Sequence, residues 1–383
     1  MTRGLNQQID PAVPVRAVGA FSKRLPKQAF APDTAGVNPA ARWADPSAVR
    51  RAFTLVEMMV VIVIIGILAG LTIPALMRAR LTAMEARVVV EIKQLESGIA
   101  AFKAKYGVEP PSQFNLYLTQ TGWSADPNAM SIVRQIWPQF DFTMGDTTNS
   151  MLGAGTVFPL YWTAIAGTVN GTPALQFNGA ESLLFFLGGI IPTQNSGSLA
   201  TTTPIGFSKN PVWPFAPIVG TANTNREGPF FELTDVSRVK DFNSNGINEW
   251  YDSLPNQTAP ILYFSSYQGA GYRLTELPNN GTNYGIPVGT QVIPCLHDFY
   301  RVSQTAGTTP PAAVANLGTG SQTLPAQKAQ SCQLISPGFD GLYGFGGVFN
   351  PNLSMSGLVD PTGAPDLVAF DNLTNFAGGR LKP

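Results

Sequence analysis

Phe53-Thr54-Leu55-Val56-Glu57-Met58-Met59-Val60-Val61-Ile62-Val63-Ile64-Ile65-Gly66-Ile67-Leu68-Ala69-Gly70-Leu71-Thr72-Ile73-Pro74-Ala75-Leu76-Met77 is an apolar run of membrane length, broken by one carboxylate near its start. A lone acid at the edge of hydrocarbon costs about 2–3 kcal/mol even on lenient insertion scales, so Glu57 should have a partner. The run contains no Lys or Arg. A cut between Ala52 and Phe53 would create a new α-amino group four residues before Glu57 and supply the missing positive charge.

Outward from this run the charge is uneven. Residues 1–52 hold eight basic side chains, Arg50 and Arg51 among them, against three acids; the remainder holds 16 basic and 21 acidic residues, a net of −5. A basic stretch ahead of an apolar helix stays on the cytoplasmic side. Residues 1–52 are rich in Pro, Ala and polar residues without a sustained apolar period, the pattern of a leader that is removed and not of a folded domain. The acidic remainder gives no basis for a nucleic-acid partner.

After Met77 the helical pattern continues in a different character. Arg78, Arg80, Glu85, Arg87, Glu91, Lys93 and Glu96 alternate with Ile92, Leu95, Ile99, Phe102 and Tyr106, which recur at three- and four-residue steps as one apolar stripe. Gly107 suits the residue after a helix end, and Pro110-Pro111 prevents continuation. Phe53 to Tyr106 would make one helix of about 80 Å at 1.5 Å per residue. Pro74 lacks an amide donor and Gly66 and Gly70 weaken the helix beside it, so the stretch from Gly66 to Pro74 is a candidate kink. Gly66-x-x-x-Gly70 is also a small-xxx-small pattern suited to close helix packing.

Beyond Val108, short apolar runs separated by Gly, Pro, Asn and Thr predict a β-rich domain. Candidate strands are Gly155–Thr163, Pro229–Leu233, Ile261–Ser265 and Gly271–Leu274, and Glu181–Gly189 reads as a short buried helix closed by glycine. The Thr-, Ser-, Pro- and Gly-rich stretches Thr193–Ala222 and Gln304–Lys328 are expected to be surface loops. Four segments follow: residues 1–52 a basic leader, 53–77 a membrane or filament-core helix, 78–107 an amphipathic continuation, 108–383 the head. The fold class is α+β.

Basic residues, a small residue, Phe-Thr-Leu-Val-Glu and an apolar helix resemble the class III signal of type IV prepilins and type II secretion pseudopilins. The resemblance is specific over Arg50 to Pro74. It implies cleavage at Ala52/Phe53 by a prepilin peptidase, N-methylation of Phe53, and assembly roles for Glu57, Gly66, Gly70 and Pro74. It also implies a pilin-like fold, an inner-membrane stage with the head in the periplasm, and incorporation beside other pilin or pseudopilin subunits in a filament. Two features depart from the pattern: Ala52 stands where Gly is usual, and the leader is longer than usual. The alternative is an adhesin or other binding module that uses the pilin-type helix as an anchor.

Export to an oxidising compartment would let Cys295 and Cys332, the two cysteines, pair. Asp241-Phe242-Asn243-Ser244-Asn245-Gly246-Ile247-Asn248-Glu249-Trp250-Tyr251-Asp252 follows the spacing of a calcium loop. Asp241, Asn243, Asn245, the Ile247 carbonyl, Glu249 and Asp252 are its candidate ligands, with an Asx-rich turn as the competing reading. Ser336-Pro337-Gly338-Phe339-Asp340-Gly341 resembles the Asp-Gly loop of the major pseudopilin, which makes Asp340 a weaker calcium candidate. Asp360, Asp366 and Asp371 are expected as solvated loop carboxylates.

Catalysis finds little in the sequence. His297 is the only histidine, neither Gly-x-Ser-x-Gly nor a phosphate-binding Gly-Lys-Ser/Thr loop occurs, and zinc at His297, Cys295 and Cys332 would need a fourth ligand. The expected role is structural and not enzymatic.

Overall fold

A computed structural model describes residues 53–143, 167–169, 171–190, 204–215, 225–233, 235–243, 245–273, 276, 286–288, 291–293, 299–302, 325–352, 358 and 365–381. The chain divides into two compact units, Met1–Ile65 and Gly66–Pro383. Of the first, the described part is Phe53–Ile65.

Helix α1 is Leu55–Tyr106, unbroken through Pro74. The stretch from Gly66 to Pro74, the candidate kink, stays helical throughout. Thr72 returns its hydroxyl to the carbonyls of Leu68 (2.8 Å) and Ala69 (3.4 Å) on the turn before the proline. Up to Met77 the large apolar side chains are exposed, and the helix is long and apolar enough to cross a membrane. From Val88 the character reverses: Val88, Ile92, Leu95, Ile99 and Phe102 are buried at the steps the stripe predicts. Gly98 joins this face because a Cβ there would sit 3.1 Å from the Phe230 carbonyl. Gly107 closes the helix at φ +79, and its N–H donates to the Lys103 carbonyl.

Strand β1 (Phe114–Tyr117) leads into two short helices, α2 (Gln120–Ala125) and α3 (Pro127–Ile136). Neither helix is anticipated by the β-rich reading. The local cause is Asp126-Pro127: the Asp126 carboxylate accepts the Ala129 N–H at 3.0 Å, and proline occupies the first turn, where no donor is needed. Strands β2 (Gly167–Val169) and β3 (Thr172–Phe177) complete an antiparallel sheet in the order β1-β3-β2. Its register sets Phe114 opposite Phe177, whose rings stack at 6.0 Å.

Helix α4 (Gly179–Gly188) is the expected buried helix, starting two residues earlier. Asn178 and Glu181 form a reciprocal capping box, and every residue of the helix is buried. Gly179 lies against the Tyr263 carbonyl, where a Cβ would come within 2.0 Å.

The remaining strands are short: β4 (Phe207–Ser208) with β5 (Arg226–Glu227), β6 (Val239–Lys240) with β7 (Glu249–Trp250), and the antiparallel sheet β14-β12-β8. In that sheet β8 is Leu262–Ser265, β12 Cys332–Ser336 and β14 Leu373–Thr374. Between β8 and β12, β9 (Ile286–Val288) pairs with β10 (Gln291–Ile293); β11 (Arg301–Val302) runs parallel to β13 (Val348–Phe349), which follows β12.

Three expectations need correction. Pro229–Leu233 is not a strand: the Phe230 N–H donates to the Leu187 carbonyl (2.7 Å), its ring meets Phe102 and Tyr106, and Phe231 meets Trp250. Gly271–Arg273 is not in a strand either, while Leu274 and all of Gly155–Thr163 lie outside the described residues. The stretch expected as a surface loop from Thr193 contains core: Phe207, Trp213 and Phe215 are buried, and the Phe207 and Phe215 rings pack on Trp137 at 5.1 and 5.0 Å.

Candidate functional site

The N-terminal site begins at a helix cap. The N–H and the hydroxyl of Thr54 both donate to Glu57 Oε2 at 2.9 Å, and the Glu57 N–H donates back to the Thr54 hydroxyl at 3.2 Å. This is a Thr-x-x-Glu capping box on the first turn of α1. It supplies the partner that the sequence analysis sought for Glu57 only in an α-amino group; the legible signal was the three-residue spacing. The negative charge sits at the positive end of the helix. Phe53 is exposed, and Ala52 lies outside the described residues. Among the described residues, Gly66 and Gly70 have nothing within 4 Å of where a Cβ would stand.

In the head, the Asp241 loop is self-satisfied. Asp241 accepts the N–H groups of Asn245 (3.2 Å) and Gly246 (2.8 Å); Asn243 and Asn245 accept those of Asn245 and Ile247. Both asparagine amides then converge on Glu181 Oε1 at 2.8 Å. Burial pushes the Glu181 carboxyl up to about 7, against the hydrogen bonds from Asn178, Asn243 and Asn245 and with the charge of Asp241 adding to the rise. Glu181 is absent from the expected ligand set, although Asn178-x-x-Glu181 is legible as a capping box.

The twelfth position does not take part. Asp252 is fully buried, accepts the Ser336 hydroxyl and the Leu254 N–H, and is pushed up to about 6, chiefly by burial. Glu249 is buried and accepts the Phe242 N–H at 2.8 Å. Of the six expected ligands, Glu249 and Asp252 thus accept donors of the protein itself, and among the described residues no group of three His, Cys, Asp or Glu side chains is arranged to hold a metal. The arrangement matches the Asx-turn alternative, with Glu181 as its anchor.

Asp340 is exposed, accepts the Leu342 N–H, and is pushed up to about 7 by desolvation and by the charges of Asp371 and Asp366. Asp366 is buried and accepts the Phe345 N–H; Asp371 accepts those of Phe339 and Asp340. Those two are structural acceptors that fix turns, not the solvated carboxylates expected; Asp360 lies outside the described residues. Cys332 is a buried thiol, pushed up to about 12 mainly by burial, with no disulfide among the described residues. Its expected partner Cys295, like His297, lies outside them.

Comparison with known proteins locates the N-terminal site. Residues 48–73 match the prokaryotic N-terminal methylation motif. The chain is 38% identical over 80 residues to type II secretion system core protein G of Klebsiella pneumoniae, covering 21% of this chain and 57% of that one. The protein of the same name from Klebsiella michiganensis is 41% identical over 80 residues (21% and 56%), and that of Escherichia coli 46% over 54 residues (14% and 37%). The chain thus spans about half the length of the first two relatives, and no solved structure matches it. This chain carries a prepilin-type methylation signal and, through that signal and the helix behind it, is similar to the type II secretion pseudopilins.

Proposed function

We propose that this protein is a structural subunit of a type II secretion pseudopilus or related type IV pilus-like filament. A prepilin peptidase cuts it between Ala52 and Phe53 and methylates the new N-terminus. The observation that carries this reading is α1 itself: the methylation motif and a capped Glu57 open a helix whose first half exposes every large apolar side chain and whose second half buries one apolar stripe in the head. A face of Val, Ile, Leu and Met without a covering partner is costly in water, at roughly 25 cal/mol per Å². It is at home first in the inner membrane, with the head in the periplasm, and then among the corresponding helices of other subunits. Gly66 and Gly70 allow close approach there.

Mass spectrometry of the membrane-extracted chain tests the processing, and detection of the chain in sheared filaments tests the assembly. The expected mature N-terminus is N-methyl-Phe53. An intact leader on the membrane-extracted protein overturns the processing, and absence from filaments overturns the subunit role.

A further inference from the structure

We propose that Arg78 and Arg80 form a collar on α1 that binds the phosphates of two anionic lipids where the helix leaves the membrane. The inference rests on the membrane stage of the reading above and adds to it a lipid class and a stoichiometry.

The level of the collar follows from the chain. Met58–Met77 is a run without a charged side chain, and about 20 such residues cross a hydrocarbon layer of about 30 Å. Leu76 and Met77 at its end are still 71% and 64% exposed, the surface expected against lipid tails. The helix continues unbroken, so the next charged residues, Arg78 and Arg80, come level with the headgroups. Both are exposed. At 3.6 residues per turn, two steps set them on nearly opposite sides of the helix, and each reaches a different lipid.

The acids that follow on α1 are already engaged. Glu85 is bonded to Arg380, and Glu91 takes Arg238 at 2.6 Å and Arg87 at 3.4 Å. Among the described residues neither Arg78 nor Arg80 has an ion-pair partner. Two guanidinium groups at the border of hydrocarbon are costly unless an anion meets them. In a head-out orientation they also oppose the charge bias that keeps basic residues on the cytoplasmic side.

Lipid phosphate is the anion found at this level, and arginine suits it. The planar fork of the guanidinium makes two parallel bonds to two phosphate oxygens, while the stem lies along apolar surface. A zwitterionic headgroup brings its own ammonium, which competes for the phosphate; phosphatidylglycerol does not, and keeps a net negative charge. The attraction fades within a Debye length, about 8 Å at physiological ionic strength. Lys93 lies thirteen residues past Arg80, about 20 Å along the helix, and is outside that range.

The test offers phosphatidylglycerol or phosphatidylcholine to the full chain in a non-ionic detergent and counts bound lipids by native mass spectrometry. Arg78→Gln with Arg80→Gln is expected to lose two phosphatidylglycerols per chain, each single variant one, at unchanged melting temperature. Phosphatidylcholine counts should not change. Lys93→Gln with Lys209→Gln removes the same charge from exposed sites elsewhere and should bind as wild type does. The cations of the leader are common to all variants and cancel in the comparison. An unchanged phosphatidylglycerol count in the collar variants, an equal loss in the lysine control, or an equal loss of phosphatidylcholine overturns the proposal. Flotation with phosphatidylglycerol vesicles separates it from the reading it rests on. A chain that does not float has no membrane stage, whereas one that floats with an unchanged lipid count fails only in its collar.

Discussion

Thr54 and Glu57 cap each other: two donors of the threonine meet one oxygen of the glutamate, and the glutamate returns its own N–H to the threonine hydroxyl. The carboxylate that seemed stranded at the start of an apolar helix is therefore placed before any cut is made. Cleavage after Ala52 would put a positive α-amino group one residue before this cap, where Glu57 can neutralise it.

Glu57→Ala is expected to leave the chain in the membrane, because the apolar run still spans and removal of a charge eases insertion. Entry into filaments should fall sharply, since an ammonium taken into a low-dielectric helix core without a carboxylate costs several kcal/mol. Thr54→Ala, which removes only the hydroxyl from the cap, should cost about 1 kcal/mol at the first turn and impair assembly far less. The ratio of variant to wild-type subunit in sheared filaments measures both. Equal incorporation of the Glu57→Ala chain would show that the carboxylate has no assembly role.

Glu91 on α1 bonds Arg238 at 2.6 Å, and its other oxygen accepts the Ser253 N–H at 3.2 Å; the Arg238 guanidinium lies 4.1 Å over the Trp250 ring. Both members of the pair are about nine-tenths buried. Glu91→Ala strands a buried cation and should destabilise the head by about 3–5 kcal/mol, while replacing both members by Leu should cost much less. Melting curves of the detergent-extracted chain would separate the two. A Glu91→Ala chain that melts like wild type would rule the pair out as what ties α1 to the head.

These polar ties mark where sequence reading succeeds and where it stops. The apolar stripe from Ile92 to Phe102 was legible because a helical period needs only residue types, and β8 was legible for the same reason. Pro229–Leu233 misled because the Phe230 ring packs on α1 and the Phe231 ring on Trp250, instead of alternating across a sheet. Helices α2 and α3 went unseen although Asp126-Pro127 announces the second of them. Glu91–Arg238 and the convergence of Asn243 and Asn245 on Glu181 join residues 147, 62 and 64 positions apart, which local pattern cannot reveal.

The Asp241 loop supplies its own hydrogen bonds, so calcium at millimolar concentration is expected to leave the melting temperature of the chain unchanged. Asp241→Ala should lower it in the presence or absence of calcium, because the N–H groups of Asn245 and Gly246 lose their acceptor. A calcium-dependent rise of several degrees that Asp241→Ala removes would return the loop to the calcium reading, with Glu181 and not Asp252 as the carboxylate within reach.

Stability should fall as pH rises from about 4 to 7. Burial raises Glu181 to about 7 and Asp252 to about 6, so the folded chain holds protons in this window that the unfolded chain, at the ordinary 4.5 and 3.8, has released. Unfolding then binds fewer protons than folding retains, and each pH step upward favours the unfolded state until the folded values are passed. For Glu181 the full span is on the order of 3 kcal/mol. Glu181→Gln cannot ionise, but its one amide oxygen can serve either the Asn178 N–H or the two asparagine amides, and its NH2 faces the other donors. It should therefore flatten the difference in melting temperature between pH 5 and pH 8, at a lower stability than wild type at pH 5. An unaltered pH profile in Glu181→Gln would mean that the folded chain ionises this carboxyl as readily as the unfolded chain does.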